Sequence, residues 1–203
     1  MKTPKIKFRY SNIYNKNYSK YKWVQERLKK EGKKYPSYEK IMKYIKEIEP
    51  IWRKIEKKVL TELSKISGLK WKEEKIICYV VGYATPFSDP LTMPIYQRNQ
   101  DYFIDTLIHE LIHQLFTQQG NSNKSSKSWK YIFKKYKKES YNTKIHIPLH
   151  AIHSCIYLKF FTEKRMQKGI DYISFLPDYK RSWEIVQKEG YKEIINEFNK
   201  RLK

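Results

Sequence analysis

Two histidines and a glutamate are spaced so that they could hold and use a metal ion. His109 and His113 stand four residues apart, in the run His109-Glu110-Leu111-Ile112-His113. On a helix this spacing places both imidazoles on one face, one turn apart. Glu110 lies about 100° further round the helix, so we expect it beside the ion and not bound to it. The pattern predicts a zinc site in which Glu110 accepts a proton from a water at the metal.

The surrounding residues predict the helix that such a site requires. Apolar residues recur at helical spacing on the side opposite the two histidines. These residues are Ile104, Leu107, Ile108, Leu111 and Leu115. We therefore expect an amphipathic helix from Tyr102 to Gln118. A surface helix that contains two histidines by chance is the alternative, and the phase of the apolar residues argues against it.

A zinc hydrolase needs a third protein ligand and leaves the fourth position to water. The chain has five histidines, and the three outside the motif are His146, His150 and His153. On a helix these three would share one line, which Tyr157 would continue. We expect His150 to be the third ligand, because it would lie in the first turn of a helix that begins near Pro148. His153 is the second choice and His146 the third.

The histidines left over, or Tyr157, are expected to hydrogen-bond a ligand or to stabilise the oxyanion that develops during hydrolysis. A carboxylate is a less favoured third ligand. Glu163 would lie on the opposite face of its helix from His150, and Glu139 lies in a lysine-rich segment.

Two strands are expected before the motif helix. The β-branched run from Ile76 to Val81 predicts a buried strand. Leu91 to Tyr96 predicts a second strand, which Pro94 restricts to an edge or to an extended segment. The rest is mostly helical in period. Helices are expected at Tyr18–Lys30, Trp129–Lys138, Pro148–Lys168, Asp178–Lys188 and Tyr191–Leu202, with an irregular arm at 1–17 and a connector at Asn142–Ile147. Helical spacing also extends from Ser37, the expected N-cap, to Gly68, and Pro50 either kinks this helix or lies in the first turn of a second one.

These elements predict a predominantly helical α+β fold. We expect a small β-sheet whose edge strand packs on the motif helix. Residues 1–70 are expected to form a helical extension, and residues 71–203 the domain with the metal site. The two parts are expected to form one compact unit.

Residues 75–160 resemble the zincin metallopeptidases. The features that carry this resemblance are the motif, an apolar strand before it and an extended segment between the two. The resemblance implies zinc-dependent hydrolysis of peptide bonds, with a third ligand from a later helix. It also implies that Leu91, Thr92 and Met93 belong to an edge strand that pairs with the substrate backbone.

The chain departs from two branches of that family. The H-x-x-G-x-x-H continuation is absent after His113, and no residue clearly corresponds to the downstream glutamate ligand of thermolysin-like enzymes. The resemblance therefore does not reach a subfamily. A zinc hydrolase that acts on bonds other than peptide bonds is an alternative.

The formal charge of +22, from 43 Lys+Arg against 21 Asp+Glu, favours contact with polyanions. The excess is mostly lysine spread along the chain, which indicates a compositional bias and only non-specific attraction to nucleic acid. The alternative from another class is a metal-stabilised nucleic-acid-binding module. Its basic helices would be Tyr18–Lys30 and Trp129–Lys138.

The two cysteines, Cys78 and Cys155, do not form a C-x-x-C pair and are expected to be free thiols in a reducing compartment. Residues Met1 to Lys20 contain no apolar run like that of a signal peptide. No segment has the length and hydropathy of a membrane span. We therefore expect a cytoplasmic protein that acts on peptide or protein substrates without membrane contact.

Overall fold

The computed structural model describes residues 2–95 and 99–202, which form a predominantly helical fold with one small sheet. In chain order the elements are β1 Lys5–Tyr10, α1 Asn12–Lys20, α2 Lys22–Lys30, α3 Tyr38–Ser67, β2 Lys75–Val81, β3 Phe87–Ser88, β4 Leu91–Pro94, α4 Gln100–Thr117, α5 Asn121–Lys124, α6 Ser126–Lys135, α7 Tyr141–Phe160, α8 Glu163–Ile173, α9 Pro177–Glu189 and α10 Tyr191–Asn199. The predicted α+β class is confirmed. No helix in the described ranges is both long and apolar enough to cross a bilayer.

The chain forms two compact units. The first, called here the sheet unit, comprises Thr3–Lys57 and Glu73–Leu111. The second, called here the helical unit, comprises chiefly Lys58–Lys72 and Ile112–Lys203. This division differs from the predicted boundary at residue 70, because β1 at the N-terminus pairs with β2.

The sheet has the strand order β1-β2-β4-β3, in which β1, β2 and β4 are parallel and β3 is antiparallel to β4. The predicted irregular arm at residues 1–17 is wrong, since it contains β1 and most of α1. The sequence of β1, KIKFRY, alternates charged and apolar residues, and the charged ones are exposed. The single helix predicted at Tyr18–Lys30 is also two helices, α1 and α2, which meet at Tyr21.

Two side chains of α3 hydrogen-bond the outer edge of β1. The N–H of Ile6 donates to Oε1 of Glu56 at 2.8 Å, and the carbonyl of Ile6 accepts from Nη2 of Arg53 at 2.6 Å. Nη1 of Arg53 lies 2.6 Å from the same Glu56 oxygen. Both backbone groups of Ile6 are therefore bonded to an ion pair of α3.

Strand β4 is not at the edge of the sheet along its whole length. Thr92 is paired with Tyr79 of β2 on one side and with Phe87 of β3 on the other. Leu91 is paired with Ser88 of β3. Met93 and Pro94 lie beyond the residues that pair with β3, and both are buried. The predicted end of this strand, Tyr96, lies outside the described residues.

Helices cover both faces of the sheet. On one face Phe103 of α4 contacts Phe8 and Tyr44, with ring centroids 6.1 and 5.3 Å apart. On the other face Tyr14 of α1 meets Tyr79 edge to face at 5.0 Å. The five residues of the predicted apolar stripe of α4 are all buried, as the amphipathic pattern predicted.

In the helical unit α7 packs against α9 and α10. It begins at Tyr141, because Oγ of Ser140 accepts a hydrogen bond from the N–H of Thr143 at 3.0 Å and caps the helix. The predicted connector at Asn142–Ile147 is therefore wrong. Pro148 lies inside α7, about two turns from its start. The capped start makes residue 146 helical.

Candidate metal centre

Helix α4 places the motif residues as the sequence predicts. It runs without a break from Gln100 to Thr117, so His109 and His113 are one turn apart on one face. His109 and Glu110 are buried, with exposed fractions of 8% and 6%, whereas His113 is partly exposed. The helix therefore presents two imidazoles and a neighbouring carboxylate in a setting where electrostatic interactions are strong.

His146 of α7 joins the two motif histidines. The rings of His113 and His146 meet edge to face, with centroids 5.0 Å apart. One ligand nitrogen from each of His109, His113 and His146 lies within 4.8 Å of the other two, and this is a group that could hold a metal ion. A tetrahedral zinc ion holds its ligand nitrogens roughly 3.4 Å apart. Small rotations of the rings would therefore bring the three nitrogens to ligand distances.

A backbone carbonyl fixes the tautomer of His146. Its Nδ1 lies 2.7 Å from the carbonyl oxygen of Asn142. Since a carbonyl can only accept, Nδ1 carries the proton and Nε2 keeps the lone pair. Metal-binding histidines commonly donate their second nitrogen in this way. Nε2 of His146 is therefore the atom available to a metal.

The electrostatic surroundings keep His113 and His146 neutral. Burial, together with a smaller effect of the nearby His146, lowers the pKa of His113 to about 3. Burial also lowers the pKa of His146, although its hydrogen bond to Asn142 and the charge of Asp178 oppose this shift. Metals bind the neutral imidazole, so both side chains are ready ligands at neutral pH.

His150, the predicted third ligand, lies against α9. It is fully buried, and its Nδ1 is 2.7 Å from Oγ of Ser182. That hydroxyl donates to the carbonyl of Tyr179 at 2.8 Å, so it accepts from the imidazole. The ring of His150 stacks on Trp183, with centroids 4.3 Å apart and planes 12° apart. The structure thus brings His146, and not His150, into the metal-binding group.

The prediction missed His146 because it placed the start of α7 too late in the chain. The prediction placed His146 in a connector and His150 in the first turn after Pro148. Because Ser140 caps the helix earlier, His146 lies in the second turn, facing α4.

His153 and Tyr157 lie further along α7, outside the metal-binding group. Their rings stack with centroids 4.5 Å apart. Burial, together with a smaller effect of the Arg165 charge, lowers the pKa of His153 to about 3. At 1.5 Å per residue, His153 is roughly 10 Å along the helix axis from His146. Their predicted contribution to an oxyanion site remains a prediction, and this distance does not favour it.

Tyr179 of α9 is a site residue that sequence reasoning missed. Its ring packs on that of His146, with centroids 4.2 Å apart, and lies 5.7 Å from that of His150. No local spacing links residue 179 to residue 146, because the contact depends on how α7 and α9 pack. The sequence spacing therefore does not predict this contact of Tyr179.

The nearby carboxylates do not belong to the metal-binding group. Glu110 lies near Cys78 of β2. The pKa of the Cys78 thiol is raised, chiefly by burial and also by the negative charge of Glu110. Glu139, one of the two carboxylates considered as a third ligand, forms an ion pair with Arg181 at 2.8 Å. Neither Glu139 nor Glu163 belongs to the metal-binding group.

Comparison of the chain with family models, curated proteins and solved structures gave no match. The chemistry of this centre is therefore argued from its residues.

Proposed function

We propose that this chain is a zinc-dependent metallopeptidase, in which His109, His113 and His146 hold zinc and Glu110 is the general base. The observation that supports this most directly is the grouping of His146 with the two motif histidines, next to Glu110 on α4. Three imidazoles suit zinc and leave a fourth position for water, which is the ligand set of a catalytic site.

Zinc held by these residues would polarise a scissile carbonyl and lower the pKa of a water to about 7. Glu110 takes the proton from this water and passes it to the leaving amine. The carbonyl of Asn142 keeps His146 in the tautomer that binds metal. Glu110 is suited to proton transfer because it is buried and close to the ligands without sharing their face of α4.

The resemblance of the motif helix and its preceding strand to zincins supports peptides as the substrate class. Met93 lies beyond the residues of β4 that pair with β3 and is our candidate for pairing with a substrate backbone. It is fully buried, so a substrate would have to displace the groups that cover it. Leu91 and Thr92 are less suited to that role, because β3 already pairs with them.

The test is Glu110→Gln, which keeps the side-chain size and removes the basic carboxylate. At matched zinc loading, cleavage of a mixed peptide library should fall by roughly 10²–10⁴-fold, the usual contribution of a general base. Zinc content should not change. Glu163→Gln, in the first turn of α8, is the matched control and should cleave like the wild type.

Either of two results would overturn this proposal and indicate a different function. Zinc-loaded wild type that cleaves esters but no peptide would indicate a non-peptidase hydrolase. Wild type that cleaves nothing, yet binds DNA in a salt-dependent way that Glu110→Gln leaves unchanged, would indicate a nucleic-acid-binding module.

A further inference from the structure

Asp178, at the start of α9, contacts the first turn of α7. Its Oδ1 lies 2.6 Å from Oγ of Ser140 and 3.1 Å from Oγ1 of Thr143. Its Oδ2 accepts from Nδ2 of Asn142 at 3.3 Å. One carboxylate therefore binds three residues at the capped end of the helix that carries His146.

The contact with Asn142 links this carboxylate to the metal-binding group. The carbonyl of Asn142 accepts the Nδ1 proton of His146 at 2.7 Å. Asp178 thus holds the side chain of the residue whose backbone orients the ligand. Partners of this kind set ring orientation and raise the basicity of a metal ligand.

The next residue, Tyr179, acts on the same histidine from its face. Its ring lies 4.2 Å from that of His146. Two successive residues of α9 therefore restrict His146, one through its hydrogen-bond acceptor and one by packing. The first turn of α9 is placed to hold the imidazole in a single orientation.

We propose that Asp178 is a positioning residue for the metal ligand His146. It fixes the first turn of α7, so that the carbonyl of Asn142 keeps Nε2 of His146 available to the metal. This inference rests on the proposed metal site but does not depend on peptide cleavage.

A second contact between the same segments provides a matched control. Arg181 of α9 forms an ion pair with Glu139, just before α7, at 2.8 Å. In the described part of the chain, the hydrogen bonds of Arg181 join it to Glu139 and Glu184, and neither Asn142 nor His146 takes part in them. If α9 only held α7 in place, loss of either contact would have a similar effect on metal binding.

The experiment measures the affinity for Zn²⁺ by competition with a chelator, in the full chain. Asp178→Asn should weaken binding by about tenfold, the lower end for a partner of a metal ligand. Glu139→Gln should change it by less than about twofold, because exposed ion pairs contribute little. The absorption bands of bound Co²⁺ should shift in Asp178→Asn and not in Glu139→Gln.

An exchange of the two side chains gives a rescue. In Asn142→Asp/Asp178→Asn the amide at 178 donates to the carboxylate at 142, while its oxygen still accepts from Ser140. Zinc affinity should return most of the way to that of the wild type. Asn142→Ala keeps the backbone carbonyl and removes only the link to Asp178. Its zinc affinity should fall in the same way as that of Asp178→Asn. This variant replaces Asp178→Asn in the test if Asp178→Asn folds poorly.

The inference is overturned if Asp178→Asn binds zinc like the wild type, if Glu139→Gln loses as much, or if the exchange gives no recovery. These failures differ from failure of the metal site itself. If His109→Ala and the wild type bind zinc equally weakly, the proposed site is wrong and this inference falls with it. If the wild type requires His109 but not Asp178, only the positioning role is lost.

Discussion

His146 and His150 lie one turn apart on the same line of α7, yet the two turns have different surroundings. Both are buried, and in each the Nδ1 proton is donated to an oxygen 2.7 Å away. His146 meets His113 of α4, whereas His150 stacks on Trp183 of α9. The comparison indicates that the neighbouring helix, and not the residue type or its tautomer, decides which histidine joins the group that could hold a metal ion.

The largest expected effect is on zinc affinity. His146→Ala should reduce it by more than about 100-fold, because loss of a direct ligand exceeds the loss of a partner of a ligand. His150→Asn retains a donor toward Ser182 and should change zinc affinity only a few-fold. Chelator competition measures both. If His150→Asn causes the larger loss, the sequence-based choice of His150 is restored and the contrast between the two turns is reversed.

An intermediate effect is expected on stability. Ser182→Ala removes the acceptor that the structure shows for Nδ1 of His150, and a buried polar group left without its partner costs about 1–3 kcal/mol. Urea unfolding of the metal-free protein measures this free energy. Ser174→Ala, at the exposed end of α8, is the control and should cost less than about 0.5 kcal/mol. A loss of zinc affinity in Ser182→Ala without a loss of stability would contradict the structural role of His150.

A further effect concerns pH and extends the comparison to the next turn, at His153. Its pKa is about 3 in the folded chain, below the ordinary value of 6.5, so the unfolded chain binds the proton first as pH falls. The contribution of His153 to the free energy of unfolding should therefore be constant above pH 6.5 and should fall between pH 6.5 and about 3. The contribution of one histidine is at most about 1.4 kcal/mol per pH unit.

His153→Asn tests this by urea unfolding of the metal-free protein across that range. Its stability should depend less steeply on pH than that of the wild type, by up to one proton. An unchanged slope would mean that His153 is protonated as easily in the folded chain as in the unfolded one.

The motif helix could be predicted because its signals are local. His109, Glu110 and His113 lie within one turn, and the apolar residues around them repeat with the helical period. The identity of the third ligand is not local. It depends on where α7 begins, and Pro148 was a misleading signal for that start. Ser140, which caps the helix, is the signal that competes with it.

Of the other differences, one had a local signal and one did not. The alternation of KIKFRY is a recognisable strand signal that could have identified β1. The contacts of Asp178 and Tyr179 with the first turns of α7 could not be predicted from spacing, because they join segments more than 30 residues apart. The local hydrophobic periodicity thus predicts helices and strands, whereas the packing of α7 on α9 decides which side chains complete the site.

The ion pair of Arg53 and Glu56 at the outer edge of β1 also bears on self-association. An exposed strand edge can template pairing with another copy of the chain, which leads to aggregation. At Ile6 both backbone groups are already bonded to α3, and the exposed side chains of β1 are lysine and arginine. A second copy would have to displace an ion pair and approach a row of like charges. This edge of the sheet is therefore protected by the helix that packs beside it.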